Sequence, residues 1–517
     1  MKKGGGRVFL PVKVKLSYDA ASRSQEAQRH WRGADMLSAD AALSPDIRKT
    51  IISRCRLEVA NSPYAAGIVG TLADDTIGTG PRLLYHIDDY DDEKNTDQQK
   101  LQRRERRWRK WSKEILLSDK LKICRVAKAR DGELFIQMVN NPKLKSHVKI
   151  NISLFESEQC ASELLANTVD YYSNGVPKEV DGILYDRYGN PQKYRFWRIH
   201  PGSNGFTSTL KSDTYLVPAS SVIHYANIVR PGQHRGLPEM ASSLCIFNDI
   251  RRYANAVIRA AESAADISFV LYTDIPPEES SYPDPRAAEQ TKDRPFGFQD
   301  TVELNRNAGI ALPEGWKASQ LKAEQPTSTF EEFFDSNLNA AARPLSMPFN
   351  VAKGNSSGYN YASGRLDHQT YNRKIKIERS VIANTILDPL LEMFETVDRL
   401  FYPEDYRFDD LEISHEWMWD AFEHVDPTKE TDSQNTRLHI SGVSTLEEEC
   451  AKEGKDYRQV LRQRARENKM LKEYGLEDKS ELRKQHAADV ARQDKNEEDK
   501  EPENATRNTR KRNTKRS

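Results

Sequence analysis

Long apolar runs are missing from this 517-residue sequence. No stretch approaches the eighteen or so apolar residues of a membrane-spanning helix, so no membrane partner is expected. Net charge is missing too. Seventy-eight lysines and arginines balance 78 aspartates and glutamates, so the whole molecule presents no strong field to an anionic polymer, which argues against a conventional sequence-specific DNA binder. Cysteine is scarce: Cys55, Cys124, Cys160, Cys245 and Cys450 are five in number and show neither CxxC nor CxH spacing. That pattern predicts reduced thiols and excludes a disulfide framework or a zinc ribbon. The start, MKKGGGRVFLPVKVKL, is basic, but Gly4 to Gly6 and Pro11 cut its apolar run too short for a signal peptide.

Catalytic and cofactor motifs are equally absent. His415-Glu416 lacks the second histidine of HExxH, and Gly454-Lys455 lacks the upstream glycine and the Ser/Thr of a phosphate loop. Gly78-Thr79-Gly80-Pro81 reads as a tight turn rather than a nucleotide cradle. Pro283-Asp284 with Glu289 and Lys292 has a spacing one residue too long to put both side chains on one face of a strand. Glu498-Asp499-Lys500 has suitable spacing but sits in a charged tail where nothing would preorganise it. The eleven histidines show no ligand spacing. The expectation is a non-enzyme with no cofactor, no metal and no catalytic residue. The competing class is a nucleic-acid-processing hydrolase or nuclease with an unrecognised site.

What is present is a chain long enough for two or three domains and a tail, with 37% hydrophobic and 30% charged residues. Ser44 with Pro45 opens a helix whose apolar side is expected to be Ile47, Ile51, Ile52, Cys55, Leu57 and Val59. A second helix from Pro63 carries Ala65, Ile68, Val69 and Leu72. Arg82 to His86 then reads as a strand. Residues 98–115 form a basic helix in which Leu101, Trp108 and Trp111 make one buried stripe with the arginines solvating the other faces; the lesser reading is that its aromatics interleaved with arginines stack on nucleic-acid bases. Val148 to Leu154 alternates as a strand, and residues 182–199 are a hairpin about Tyr188-Gly189-Asn190-Pro191.

The chain is organised around residues 221–269. A short strand, Val222 to Tyr225, breaks at Arg230-Pro231-Gly232 and turns again at Arg235-Gly236-Leu237-Pro238. About thirty residues then read as one helix of roughly 45 Å. Its stripe runs Leu244, Phe247, Ile250, Ala254, Val257, Ala261, Ala264, thinning from large groups to alanine as in a helix rooted in a core whose far half packs on neighbouring helices. A proline-punctuated insertion follows, with two short strands expected around Pro313-Glu314-Gly315-Trp316. Ser328 and Glu331 then suggest a capping box for a second apolar-faced helix carrying Phe330, Phe333 and Phe334. The glycine- and serine-rich stretch MPFNVAKGNSSGYNYASG is expected to be mobile. A long helix from about Ala362 to Leu400 should be kinked by Pro389, with Arg365, Arg373, Lys374, Lys376 and Arg379 in its basic first half. Ser444 with Glu447 suggests another capping box, and from about Glu477 the composition is that of a disordered charged tail.

The turn Arg230-Pro231-Gly232-Gln233-His234-Arg235-Gly236-Leu237-Pro238 closely resembles the RPGQxRGxP segment of the lambda-type family of bacteriophage portal proteins. YDAA, NSPYAAGIV, GTGPRL, GILYDRYGNPQKY, NYASGR, VDPTKE, GVST and EGKD resemble further family segments in the same order, over roughly residues 18–476. The resemblance implies an α+β subunit with a mixed α/β wing, helical stem, small clip insertion, kinked channel helix and helical crown. On that plan residues 1–20 are an arm, 21–238 the wing, 239–269 the first stem helix, 270–327 the clip and 328–345 the second stem helix. Residues 346–361 are then the channel loop, 362–425 the kinked channel helix and its return to the wing, 426–476 the crown and 477–517 the tail. It implies a ring, by expectation a dodecamer, at a capsid vertex, assembled in a bacterial cytoplasm and carried in the virion. The implied partners are further copies of the chain, double-stranded DNA, the terminase large subunit, the major capsid protein and a head-tail adaptor. Lys353, Arg365, Arg373, Lys374, Lys376 and Arg379 are the candidate channel lining. Ala254, Val257, Ala261, Ala264, Phe330, Phe333 and Phe334 are the candidate subunit-packing stem, of which Phe330, Phe333 and the alanine end of the first stem helix are expected to lack partners in an isolated subunit. One departure is KGNSSGYNYASG, without the acidic residue that the family commonly has before its serine.

Overall fold

The computed structural model describes residues 24–87, 95–160, 170–203, 214–266, 270–273, 316–319, 329–357, 361–408, 413–422, 434–440 and 442–474. The arm, most of the clip, Ser328, the end of the channel loop and the tail lie outside the described residues.

Two short helices, α1 (Gln25–His30) and α2 (Ala39–Ala42), begin at Ser24 and Ser38, whose hydroxyls accept the Ala27 and Ala41 amides. Helix α3 (Pro45–Asn61) starts on its proline as expected, but its buried face differs from the apolar stripe. Arg48, Ile52, Cys55 and Glu58 point inward, while Ile47 and Leu57 are exposed. The reason is that both inward charges are paired, Arg48 with the buried Asp181 and Glu58 with the half-buried Arg251, so the face that carries them is the one the core accepts. Helix α4 (Pro63–Ile77) buries Ala65, Ile68, Val69 and Leu72 as its periodicity predicts. Strand β1 (Arg82–Ile87) is followed by α5 (Asn95–Glu114) and α6 (Leu117–Arg130).

Strands β2 (Glu133–Asn140) and β3 (Ile150–Glu156) pair antiparallel. Strands β4 (Glu179–Val180), β5 (Ile183–Tyr185), β6 (Pro191–Trp197) and β7 (Thr214–Pro218) form a second antiparallel sheet in that order. The expected hairpin is the β5–β6 pair, turned at 186–190 on Asp186, whose carboxylate accepts the Tyr188 and Asn190 amides at 2.8 Å each. Strand β8 (Val222–Ala226) returns to β2, giving the order β3-β2-β8. Phe135 of β2, Cys160, Ile183, Tyr194, Phe196 and Val217 join the two sheets in one apolar cluster.

Helix α7 (Leu244–Asp266) starts later than expected, because residues 241–243 form a 3₁₀ turn instead of its first turn, and residues 267–269 at its expected end lie outside the described residues. Strands β9 (Val270–Thr273) and β10 (Trp316–Ser319) pair antiparallel across the insertion. The partner of Trp316 is Thr273, and the strand expected just before Pro313 lies outside the described residues. Helix α8 (Thr329–Ala342) leads to α9 (Phe349–Lys353), a helix inside the stretch expected to be mobile, with Gly354 at φ +68° ending it. Helix α10 (Tyr361–Ile382) and helix α11 (Asp388–Phe401) are joined by a π-helical turn over Ala383–Leu387. Pro389 sits in the first turn of α11, so the missing amide is absorbed by widening the preceding turn.

Strand β11 (Ile413–Met418) pairs antiparallel with β1, and helices α12 (Leu446–Lys452) and α13 (Tyr457–Glu473) follow. The capping box of α12 is Thr445 with Glu448, one residue beyond the expected Ser444 and Glu447. The chain divides into two compact units, Met1–Ile77 with Lys110–Tyr406, and Gly78–Arg109 with Arg407–Ser517. In the second, Trp108 packs on Trp417 at 5.4 Å and Arg104 lies over the Tyr85 ring at 4.2 Å. In the first, Trp111 packs on Phe394 at 5.2 Å and donates its indole hydrogen to the Ile150 carbonyl at 2.9 Å. The tryptophan stripe of α5 is thus buried, as its spacing requires.

Candidate functional site: a buried latch and an exposed basic ridge

The turn between β8 and α7 is built around its own side chains. The Gln233 carbonyl oxygen accepts the Val229 and Arg230 amides at 3.0 and 3.1 Å, and its amide donates to the Arg235 carbonyl at 2.7 Å. His234 bonds Asp40 at 2.7 Å. Arg235 turns inward and is buried. Its Nε donates to Glu133 Oε1 at 2.8 Å, and its terminal nitrogens reach Asp181 Oδ2 at 2.9 Å and the carbonyls of Cys160, Ser157 and Asp181. Glu133 is saturated in turn. Ser157 Oγ donates to it at 2.6 Å, His224 lies at 2.8 Å, and the Gly236 amide donates to it at 2.8 Å. Arg48 of α3 closes the set against Asp181.

Two arginines and two carboxylates therefore neutralise each other out of water. Burial alone would push the Glu133 carboxyl up, but Arg235, His224 and Arg48 outweigh it and hold it well below the ordinary range. Burial likewise opposes ionisation of Asp181, and Arg235 with Arg48 reverses the sign. The arrangement is mechanical: it ties α3, β2, the 157–160 turn and the β4–β5 turn to the strand-to-stem connection. Both oxygens of Glu133 are engaged, so this carboxylate offers no free valence to a ligand.

A second buried set lies beneath α10. Lys128 Nζ bonds Glu378 at 2.7 Å, Tyr225 OH donates to the same carboxylate, and Arg125 pairs with Glu239 at 2.8 Å. Burial would raise the Glu378 pKa, but Arg125 and Lys128 turn the shift downward. Tyr371 donates to Asp75 at 2.8 Å, and Arg379 donates to the Thr76 and Asp75 carbonyls at 2.8 and 3.0 Å. These interactions seat one face of α10 on α4, α6 and β8.

The six candidate cations consequently separate. Arg379 belongs to the buried face and is corrected from channel lining to an anchor, because its guanidinium satisfies two backbone carbonyls at the end of α4. Lys353 is partly covered and bonded to Asp335 at 2.8 Å and Glu331 at 3.3 Å, so it ties α9 to α8. Lys374 lies at the half-buried flank. Arg365, Arg373 and Lys376 are exposed and recur along one outer ridge of α10, spanning about 16 Å at 1.5 Å per residue. Sequence reasoning finds the ridge but not the split, since a basic residue every few positions looks the same whichever way it points.

The stem residues separate similarly. Phe247 and Ile250 are buried at the root of α7, whereas Ala254, Val257 and Ala261 are only partly covered, and the side chain of Ala264 lies outside the described residues. Phe330 and Phe333 do not lack partners in the isolated subunit: Tyr253 of α7 stacks on Phe330 at 5.5 Å and packs tilted against Phe333 at 4.7 Å. Phe334 packs on Tyr64 at 5.2 Å. Arg251 also ties α7 to α3 through Glu58 at 2.8 Å. Sequence reasoning misses Glu133, Asp181, Arg48 and Glu58. The one available signal is a lone acid heading an apolar strand, Gly132-Glu133-Leu134.

One cluster has the composition of a metal site, Glu156, Glu158 and His200. Its bonding argues otherwise. His200 Nδ1 accepts the Gly202 amide at 3.0 Å, which leaves the proton on Nε2, facing Glu156 at 3.0 Å. Arg56 engages both oxygens of Glu158. The histidine has no lone pair to give and the glutamate is already neutralised.

A protein-family model described as "Phage portal protein, lambda family" matches residues 24–379. The chain belongs to that family. The matched span contains the latch, α7, α8 and the whole basic ridge of α10. The chain is also similar to solved structures described as the virion of a native gene transfer agent (GTA) particle (14% identity, 78% of this chain and 93% of that one, TM-score 0.38) and the neck of an empty GTA particle computed with C6 symmetry (15%, 82% and 97%, 0.39). A third is the neck of a native GTA particle computed with C12 symmetry (14%, 78% and 93%, 0.38). Comparison with curated proteins finds no match. Among the described residues of this portal-family chain, no helix is long and apolar enough to cross a membrane.

The family's fold here depends on carboxylates held ionised in the core, which fixes a pH dependence. Groups whose folded pKa lies below the ordinary values of 4.5 for Glu133 and 3.8 for Asp181 stabilise the fold above those values, and the contribution disappears as pH falls through the lower folded ones. Stability should therefore be flat from pH 7 to 5 and fall steeply below about pH 4, by about 1.4 kcal/mol per pH unit for each group involved. Thermal melts followed by circular dichroism across that range measure it. A flat response down to pH 3 would contradict the buried ionised state.

Proposed function

We propose that the chain is the subunit of a portal ring at one vertex of a phage or phage-like capsid, through which double-stranded DNA enters and leaves. About twelve copies form the ring. Terminase docks on the clip, residues 270–327, and the capsid protein and head-tail adaptor hold the ring in the particle. The single observation that carries this reading is the family match over residues 24–379.

The physical chemistry of the chain suits a conduit. A channel must attract DNA weakly and without sequence preference, since tight contacts would halt movement. Three exposed cations on one side of α10, in a chain whose charges cancel, supply that kind of attraction. Arg365, Arg373 and Lys376 are the residues proposed to face the channel. Ala254, Val257 and Ala261, small and half-covered in the single subunit, leave room for a neighbouring subunit's helix.

Complementation tests the role. Particles produced without this chain should contain no nuclease-protected DNA, and supplying it in trans should restore packaging; DNA-filled heads in its absence would contradict the reading. Replacing Arg365, Arg373 and Lys376 together by glutamine should leave the ring's native mass unchanged and reduce protected DNA per particle several-fold. Unaltered packaging would remove the ridge from the channel wall.

A further inference from the structure

Helix α13 carries a strongly one-sided charge pattern. It holds six basic residues, Arg458, Arg462, Arg464, Arg466, Lys469 and Lys472, against Glu467 and Glu473, in a chain whose overall balance is zero. The helix is fastened at its start. Asp456 caps it by accepting the Arg458 amide at 2.9 Å, and the Arg458 guanidinium donates to the Tyr85 carbonyl at 3.2 Å. Val460, Tyr457 and Leu471 mark its half-covered side, and every residue from 461 to 470 is exposed.

Arg462, Arg466 and Lys469 fall at i, i+4 and i+7, on one line facing away from that half-covered side. Among the described residues none of the three has a hydrogen-bond or ion-pair partner. Glu467 points elsewhere and accepts the Gln463 amide at 2.9 Å. Glu473 closes the line at its far end. From Arg462 to Lys469 the line runs about 10 Å, the length over which one DNA strand presents about three phosphates. Three unpaired cations held by a helix at that spacing make a strip complementary to a polyanion.

We infer that the Arg462–Arg466–Lys469 strip of α13 binds the phosphate backbone of double-stranded DNA without sequence preference, as a contact separate from the α10 ridge. The inference rests on the portal reading for the choice of duplex DNA as the polyanion. Its chemistry is charge neutralisation with counterion release, so its signature is a salt dependence.

The test uses the full chain and random-sequence duplexes of about 30 base pairs, with binding measured across a salt series. Replacing Arg462, Arg466 and Lys469 by glutamine should lower the slope of log K against log salt by about 2 to 3, at about 0.9 for each phosphate no longer neutralised. Replacing Arg462 and Arg466 by lysine should keep the wild-type slope, and both variants should keep the wild-type native mass. Two duplexes of unrelated sequence should bind alike. An unchanged slope in the glutamine variant would overturn the inference. So would a glutamine variant that loses assembly while keeping its DNA slope, which would make the strip a contact between protein subunits. Because native mass is read separately, absence of the slope effect with an intact ring would remove this strip and leave the portal reading standing.

Discussion

Arg235→Met is expected to lower the unfolding free energy of this protein by about 3–5 kcal/mol, the cost of leaving buried charges without their partner. The size follows from what remains. Glu133 and Asp181 would keep their burial and lose the guanidinium that Arg235 aims at both, and the Ser157, Cys160 and Asp181 carbonyls would lose a donor. Chemical denaturation of the variant and its parent measures the difference. The double variant Arg235→Met with Glu133→Gln should recover part of the loss, since neutralising the acid removes the charge that had become unpaired. A single variant within about 1 kcal/mol of wild type would show that Arg235 is not the centre of the latch. The acid-induced loss of stability described above should also weaken in the double variant, because its principal depressed carboxylate is gone.

Gly236→Ala is the second large effect, and its cause is steric. A Cβ at 236 would overlap the Gly132 carbonyl oxygen and sit 2.6 Å from Glu133 Cβ, on backbone and a fully engaged side chain that have nowhere to go. The facing residue is no more tolerant: Gly132, at φ +87°, would place a Cβ 2.5 Å from the Pro238 nitrogen. The two glycines let the start of β2 and the start of the stem connection touch backbone to backbone, which is what allows the Gly236 amide to reach Glu133. Gly236→Ala should therefore yield little soluble protein, or a melting temperature reduced by many degrees. Gly232→Ala, in the same turn but with open space around its Cβ position, is the matched control; it is strained only by its φ of +72° and should cost much less. Equal behaviour of the two variants would contradict the close approach at 236.

These two positions show what a sequence does and does not disclose. Periodicity locates α4 through Ala65, Ile68, Val69 and Leu72, and α5 through Leu101, Trp108 and Trp111, because apolar side chains line the buried face there. It misplaces the inner face of α3, where Arg48 and Glu58 are buried and Ile47 and Leu57 are exposed, because burying a charge depends on a partner scores of residues away. The turn RPGQHRGLP is conspicuous as a motif. Its role becomes visible only once Glu133 and Asp181, separated from it by long stretches of chain, are brought to Arg235. Strand β11 escapes a reading of the sequence for the same reason, since its partner β1 lies more than three hundred residues earlier. The basic half of α10 is legible as composition, but the division between Arg379 and the Arg365, Arg373 and Lys376 ridge needs the direction of each side chain. Lys353 looks like a free cation beside a flexible loop until Asp335 and Glu331 of α8 are found around it.

The most direct test of the portal assignment is the native mass of the purified, DNA-free protein, by native mass spectrometry or light scattering. One chain weighs 59.2 kDa, so a closed ring of about twelve copies gives a particle of about 700 kDa with cyclic symmetry. That mass, or a narrow set of closed rings near it, is the predicted result. A monomer or dimer that persists at high protein concentration would contradict it.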